Sequence, residues 1–142
     1  MFLGDHEYRI DPQGRVPIPP RFRADFLQEL VATRGYDRCI VLFTSQEWTR
    51  FSSGILNMSL QRHRHRELAR VVFGGAFNLK LDGQGRILLP VALRNYAGIR
   101  DEVMVVGAGN YVEIWDGQAW SQEIGRLEES AWHIAETTGG EQ

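Results

Sequence analysis

The sequence predicts an α+β protein, mainly β with short helices, built as a pseudo-twofold pair of one small hairpin module. Three observations carry this reading. The chain repeats itself: Asp11-Pro-Gln-Gly-Arg15 returns 71 residues later as Asp82-Gly-Gln-Gly-Arg86. Each copy sets short apolar stretches between turn-forming residues, the pattern of strands. Each copy also holds only about four such strands, too few to bury a core alone. Two copies can enclose one core jointly, each lending strands to the other.

The same offset pairs Phe2 with Phe73, Gly4 with Gly75, Gln13 with Gln84, Pro19 with Pro90 and Arg23 with Arg94. Further on, Ile40-Val-Leu-Phe before Trp48 resembles Tyr111-Val-Glu-Ile before Trp120, with one extra residue in the second copy. The expected organisation is a first module at 1–58, a basic linker helix at 59–72, a second module at 73–135 and a disordered tail at 136–142.

Within each module the elements follow from local pattern. Glu7 to Ile10 and Phe77 to Leu81 are expected as strands; Phe77, Leu79 and Leu81 alternate with Asn78 and Lys80. After the turn come short strands at Val16 to Ile18 and Ile87 to Leu89. Pro19-Pro20 and Pro90 suit the first turn of a helix. Phe22, Phe26 and Leu27 are expected on one helical face, and the helix from Leu93 to Ala97 should stop at Gly98. Glu102 to Val106 and Tyr111 to Trp115 flank the Gly107-Ala-Gly-Asn turn; Leu30 to Thr33 and Cys39 to Phe43 are their counterparts. Thr44-Ser-Gln-Glu47 fits a capping box. In the second copy, a helix from Gln118 places Trp120, Ile124 and Leu127 on one stripe.

Asp11-Pro12-Gln13-Gly14 matches the residue preferences of a type I turn. The Asp carboxylate can accept from the turn's own N–H groups. Gly14 and Gly85 permit the positive φ of a bulged exit. Arg15 and Arg86 then leave the bend beside Asp11 and Asp82, which can pair with them and hold the guanidinium extended. An exposed ion pair of this kind contributes only about 0–1 kcal/mol. Its return in both copies, flanked by further Arg, points instead to a reading head. Arg9, Arg21 and Arg23 are expected around the first turn, and Lys80, Arg94 and Arg100 around the second. A hairpin tip can enter the major groove of double-stranded DNA, where Arg contacts guanine O6 and N7.

The formal net charge of −2 hides an uneven distribution. Residues 1–70 hold 11 Lys/Arg against 8 Asp/Glu, and residues 71–142 hold 5 against 10. Lys80 is the only lysine. Arg suits planar, bidentate contacts with phosphate and base edges, although Arg-favouring codon usage gives the same bias. Cys39 is the single cysteine, so no intrachain disulfide forms, and it is expected as a buried apolar side chain. No apolar run suits a membrane span, and no signal segment opens the chain, so a cytoplasmic location is expected. The basic stretch at 60–70 is expected as a solvated helix face, with Leu60, Leu68, Val71 and Val72 packing. His63 and His65 are poorly spaced for a helical metal site, and neither cofactor nor metal is expected. Trp48, Trp115, Trp120 and Trp132 are expected as core or interface anchors, Trp132 on a neighbouring copy.

The motifs together resemble the MraZ family over roughly residues 1–135. The residues that carry this are Met1-Phe-Leu-Gly, Asp11-x-x-Gly-Arg15 with Ile18-Pro, Asp82-x-Gln-Gly-Arg-Ile-Leu-Leu-Pro90, Leu93-Arg-x-Tyr-Ala-Gly98 and Glu113-Ile-Trp115. The resemblance implies tandem AbrB-like modules forming a swapped-hairpin β-barrel. It implies a transcriptional regulator of the cell-division and cell-wall gene cluster that binds short direct repeats upstream of its own gene. It also implies ring-shaped homo-oligomers on the nucleoid, with Asp11, Arg15, Asp82 and Arg86 as motif residues. Pro12 and Gly83 fill positions that are often polar in the family.

Two other functions fit the same pattern: an AbrB-like antitoxin, which would carry a loose toxin-wrapping tail, and a ring protein with no DNA role. An enzyme is not expected. There is no phosphate-binding Gly-rich loop, Cys/His dyad or nucleophilic Ser elbow. A turn tip also offers no pocket for a small-molecule substrate.

Overall fold

A computed structural model describes residues 1–139. Eight strands run β1 Asp5–Arg9, β2 Arg15–Pro17, β3 Leu30–Arg34, β4 Ile40–Thr44, β5 Phe77–Leu79, β6 Arg86–Leu88, β7 Glu102–Gly107 and β8 Val112–Asp116. Five helices are interleaved: α1 Pro20–Arg23, α2 Ser45–Leu56, α3 His63–Gly74, α4 Val91–Ala97 and α5 Gly117–Gly139.

Six strands form one antiparallel sheet in the order β1-β7-β8-β4-β3-β5, and β2 and β6 form a separate two-stranded ribbon. The order reads the same from either end once each strand is exchanged for its counterpart in the other module. The modules are therefore swapped as the repeat implied. β1 pairs with β7, Asp5 opposite Val106 through Arg9 opposite Glu102, and β5 pairs with β3. The two halves also join at β4·β8, with Ile40 opposite Ile114, and at β2·β6, with Val16 opposite Ile87.

One core explains why the modules need each other. Val16, Ile18, Ile87 and Leu89 from the ribbon region meet Leu30, Ala32, Ile40 and Leu42 from one half and Val103, Val105, Val112 and Ile114 from the other. A smaller cluster on the opposite side of the sheet joins Cys39, Val41, Phe43, Trp115 and Trp120. Phe43 stacks on Phe51 with ring centroids 4.8 Å apart, and Trp48 meets Phe73 edge-on at 5.7 Å, tying α2 to α3. The buried Thr33 hydroxyl donates to the Val72 carbonyl at 2.6 Å. The Cys39 thiol is fully buried, and desolvation, together with the nearby Glu113 carboxylate, pushes its pKa up.

Local signals are met at several ends. Thr44 Oγ1 accepts from the Glu47 N–H at 3.2 Å, the capping-box bond. Gly98 ends α4 in the left-handed region at φ 64°.

Other expectations fail for identifiable reasons. Leu27 does not share the buried face of Phe22 and Phe26 and is 79% exposed. The chain tightens into a 3₁₀ turn at Ala24–Phe26, and 3₁₀ winding moves the next side chain off the α-helical stripe. Leu60 is exposed rather than packed, because it precedes α3. The linker helix begins at His63, with residues 59–62 forming its approach. The tail expected at 136–142 is helical through Gly139 as the end of α5, while 140–142 lie outside the described residues. Trp132, expected to anchor on a neighbouring copy rather than in this core, is 85% exposed on the single chain. No helix among the described residues is long and apolar enough to cross a membrane.

Candidate nucleic-acid interface

The two Asp-x-x-Gly-Arg turns lie side by side. Val16 and Ile87 point inward from the centre of the β2–β6 ribbon and are buried. Side chains alternate along a strand, so Arg15, opposite Leu88, and Arg86, opposite Pro17, share the outward face. Two further backbone bonds splice the turns into the ribbon: Ile18 N–H to Gly85 O and Leu89 N–H to Gly14 O, each 2.9 Å.

Each turn is closed by the same set of bonds. In the first, Gly14 N–H donates to Asp11 O at 2.9 Å and Asp11 N–H donates to Arg15 O at 3.0 Å. The Asp11 carboxylate accepts from Gln13 N–H at 3.0 Å and Arg15 N–H at 2.8 Å. Arg15 Nε donates to its other oxygen at 2.6 Å. In the second turn the Asp82 carboxylate accepts from Gln84 N–H, Arg86 N–H and Arg86 Nε at 2.8, 2.9 and 2.9 Å. The Asp residue thus builds the turn and aims the guanidinium from one side, through Nε.

The turns differ in detail. Arg15 Nη2 also donates to Gln13 Oε1 at 3.2 Å, whereas Arg86 Nη1 stands 3.9 Å from Asp11 Oδ2 in the other turn. Asp11 is therefore shared by both guanidinium groups.

Both carboxylates are held below the usual Asp range, chiefly by the N–H groups of Arg15 and Arg86. A lowered folded-state pKa means the stabilisation is complete above the ordinary carboxylate value and is lost as the pH falls through the lower folded value. The stability gap between wild type and Asp11→Asn is thus expected to be constant at neutral pH and to close in strong acid. Chemical denaturation across that range measures it; a gap that widens on acidification contradicts the assignment.

Glycine is required at both exits. Gly14 and Gly85 have φ of 92° and 74°. A Cβ at Gly85 would stand 2.3 Å from Arg23 Nε, and one at Gly14 would stand 2.8 Å from Arg94 Cζ. Arg23 and Arg94 are equivalent under the repeat, and each reaches across to the other module's turn. Arg23 Nε donates to Ile18 O at 2.8 Å and Arg94 Nε to Leu89 O at 3.1 Å. Their repeat at the 71-residue offset was visible in the sequence, but this buttressing role was not.

The remaining basic residues are placed less uniformly. Arg9 lies on β1, 3.7 Å from Glu102. Arg21 is exposed on α1. Lys80, Arg94 and Arg100 were expected around the second turn; Lys80 stands two residues before Asp82, while Arg94 and Arg100 lie beside the first turn, and all three line grooves there. Arg94 and Arg100 share one with Asp11 and Pro12, and Lys80 shares the next with Gln13 and Leu88. The swap explains this: α4 packs beside the other module's turn. Four of the five Lys/Arg of the acidic second half, Lys80, Arg86, Arg94 and Arg100, so gather around the ribbon despite its net charge.

The comparisons with known proteins agree with this duplicated architecture. The family model described as "MraZ protein, putative antitoxin-like" matches twice, at residues 1–71 and 72–140. The chain belongs to the MraZ family. It is 39% identical over 141 residues to the protein named Transcriptional regulator MraZ of Dehalococcoides mccartyi strain 195, covering 99% of each chain. A protein of the same name from strain BAV1 is 38% identical, with 96% of this chain and 97% of the relative covered. Another from Arthrobacter sp. strain FB24 is 41% identical over 130 residues, 92% of each chain. These MraZ relatives are named as regulators, not as enzymes.

Proposed function

We propose that this MraZ-family chain is a sequence-specific DNA-binding transcriptional regulator whose reading element is the β2–β6 ribbon. The observation that carries the reading is the pairing of Arg15 and Arg86 on one outward face, close enough for Asp11 to contact both. A two-stranded ribbon fits the major groove, and a guanidinium fixed at Nε keeps Nη donors for guanine O6 and N7. Arg9, Arg21, Lys80 and Arg100 flank the ribbon as phosphate contacts, and phosphate contacts set register rather than sequence. Arg23 and Arg94 act mainly by bracing the turns.

One ribbon covers few base pairs, so useful affinity needs several chains on repeated sites. The chain would act in the cytoplasm on nucleoid DNA, as a homo-oligomer, a ring in the family's manner. Its sites would be direct repeats upstream of its own gene in the cell-division and cell-wall cluster. The antitoxin reading rests on the family description; no toxin-wrapping segment is evident among the described residues, where α5 is a continuous helix.

A mobility-shift titration tests the proposal. The DNA upstream of the gene is expected to bind far more tightly than a scrambled duplex at fixed salt, and both affinities should fall as salt rises. Equal affinity for the two duplexes, or none for either, would refute it.

A further inference from the structure

The second half of α5 leaves the body of the protein. Trp120 is buried and donates from Nε1 to Asp5 at 3.3 Å, but no residue from Ala131 to Gly139 is buried. Trp132 and Ile134 are exposed there, by 85% and 40%. Glu128, Trp132 and Glu136 follow at four-residue spacing, so they share a face. Residues 123–136 hold four Glu and one Arg. That Arg, Arg126, is paired with Glu123, which leaves Glu128, Glu129 and Glu136 without an ion pair among the described residues.

The corner between α2 and α3 has the opposite character. Leu56 and Leu60 are exposed there. Residues 56–70 hold four Arg and one Glu, and that Glu67 faces His63 at 3.4 Å. Arg66 is tied to the Leu60 and Gln61 carbonyls. Arg62, Arg64 and Arg70 are exposed and make no ion pair among the described residues.

The two surfaces occupy equivalent places in the two modules. Trp48 corresponds to Trp120 at an offset of 72, and the same offset places Trp132 on Leu60. One module therefore ends in an apolar, basic corner and the other in an apolar, acidic helix.

We propose that the free end of α5 of one copy docks on the α2–α3 corner of a second copy, with Trp132 as the apolar anchor and Glu128 and Glu129 facing Arg62 and Arg64. This deepens the oligomeric reading above and rests on it. The contact joins module two of one chain to module one of the next. It is heterologous, so it can close into a ring when the rotation allows. A central Trp ringed by charge has the anatomy of an interface hot spot. Like-charge faces repel, so the charges also reject the two wrong pairings, α5 on α5 and corner on corner.

Charge reversal tests this directly. Glu128→Arg/Glu129→Arg and Arg62→Glu/Arg64→Glu are each expected to lower the mass in light scattering to that of one chain. Trp132→Ala should do the same. Arg64→Glu lies in the first turn of α3, where an acid suits the helix dipole, so loss of the fold is not the expected cause. Mixing the two reversed proteins should recover the wild-type mass, because each then offers the surface the other needs. Either reversed protein keeping the wild-type mass, or a mixture staying at one-chain mass, would overturn the proposal. If wild type itself runs as a single chain, the oligomeric reading falls too. An oligomer unaffected by these changes removes only this interface, and Arg15-dependent DNA binding is scored separately from both.

Discussion

Residues 1–71 on their own are expected to give no folded monomer. Cutting the chain between the modules removes β7 from β1, β8 from β4, β6 from β2 and β3 from β5. Within the first module only the β3·β4 hairpin remains, and an isolated two-stranded hairpin is marginal at best in water. The main core is cut as well, since Ile87, Leu89, Val103, Val105 and Ile114 come from the second half. Only roughly 5–15 kcal/mol hold a domain folded, so losing half the core leaves no margin for the isolated piece. The isolated piece should be unfolded or should pair with another copy of itself. Residues 1–71 and 72–142 mixed together should refold as one complex. Circular dichroism with sedimentation separates these outcomes, and a folded, monomeric first module would contradict the swap.

Arg15→Ala and Arg86→Ala are each expected to weaken specific DNA binding by about 5- to 150-fold, the equivalent of losing one base contact worth about 1–3 kcal/mol. The fold should survive, because neither side chain belongs to the core and the Asp carboxylates keep their backbone donors. The two changes should not be additive. Asp11 touches both guanidinium groups, and groups that share a partner couple. Arg15→Ala alone frees Asp11 to draw Arg86 further across the ribbon. A scrambled duplex should lose much less affinity than the specific one, which separates base contacts from phosphate attraction. Equal losses on both duplexes would reassign these residues to phosphate binding.

Much of this was legible in the sequence because the determinants are local or repeated. Asp11-Pro-Gln-Gly fixes its turn through its own side chain and a positive-φ glycine, and the bonds found are those that residue pattern implies. The duplication implied that strands would be exchanged, since neither copy could close a core. The details across the pseudo-twofold axis were not legible. Arg94 and Arg100 were expected beside the turn nearest in sequence, yet the swap carries them to the first turn. Arg23 was expected around the first turn, and its side chain also packs against Gly85 of the second. Leu27 fitted an α-helical stripe until a 3₁₀ turn rotated it outward. In each case a contact across the modules, or a change of helical pitch, overrides the short-range pattern, and spacing alone does not encode it.

Methylation interference on the upstream DNA tests the central claim most directly, because a methyl group at guanine N7 blocks the atom that Arg15 and Arg86 are held to meet. Probe bound by wild type should be depleted of N7-methylated guanines at specific positions in the repeats, and Arg15→Ala or Arg86→Ala should each abolish the depletion at a subset of them. Bound probe carrying N7-methyl groups evenly, with the variants giving the same pattern as wild type, would contradict the account.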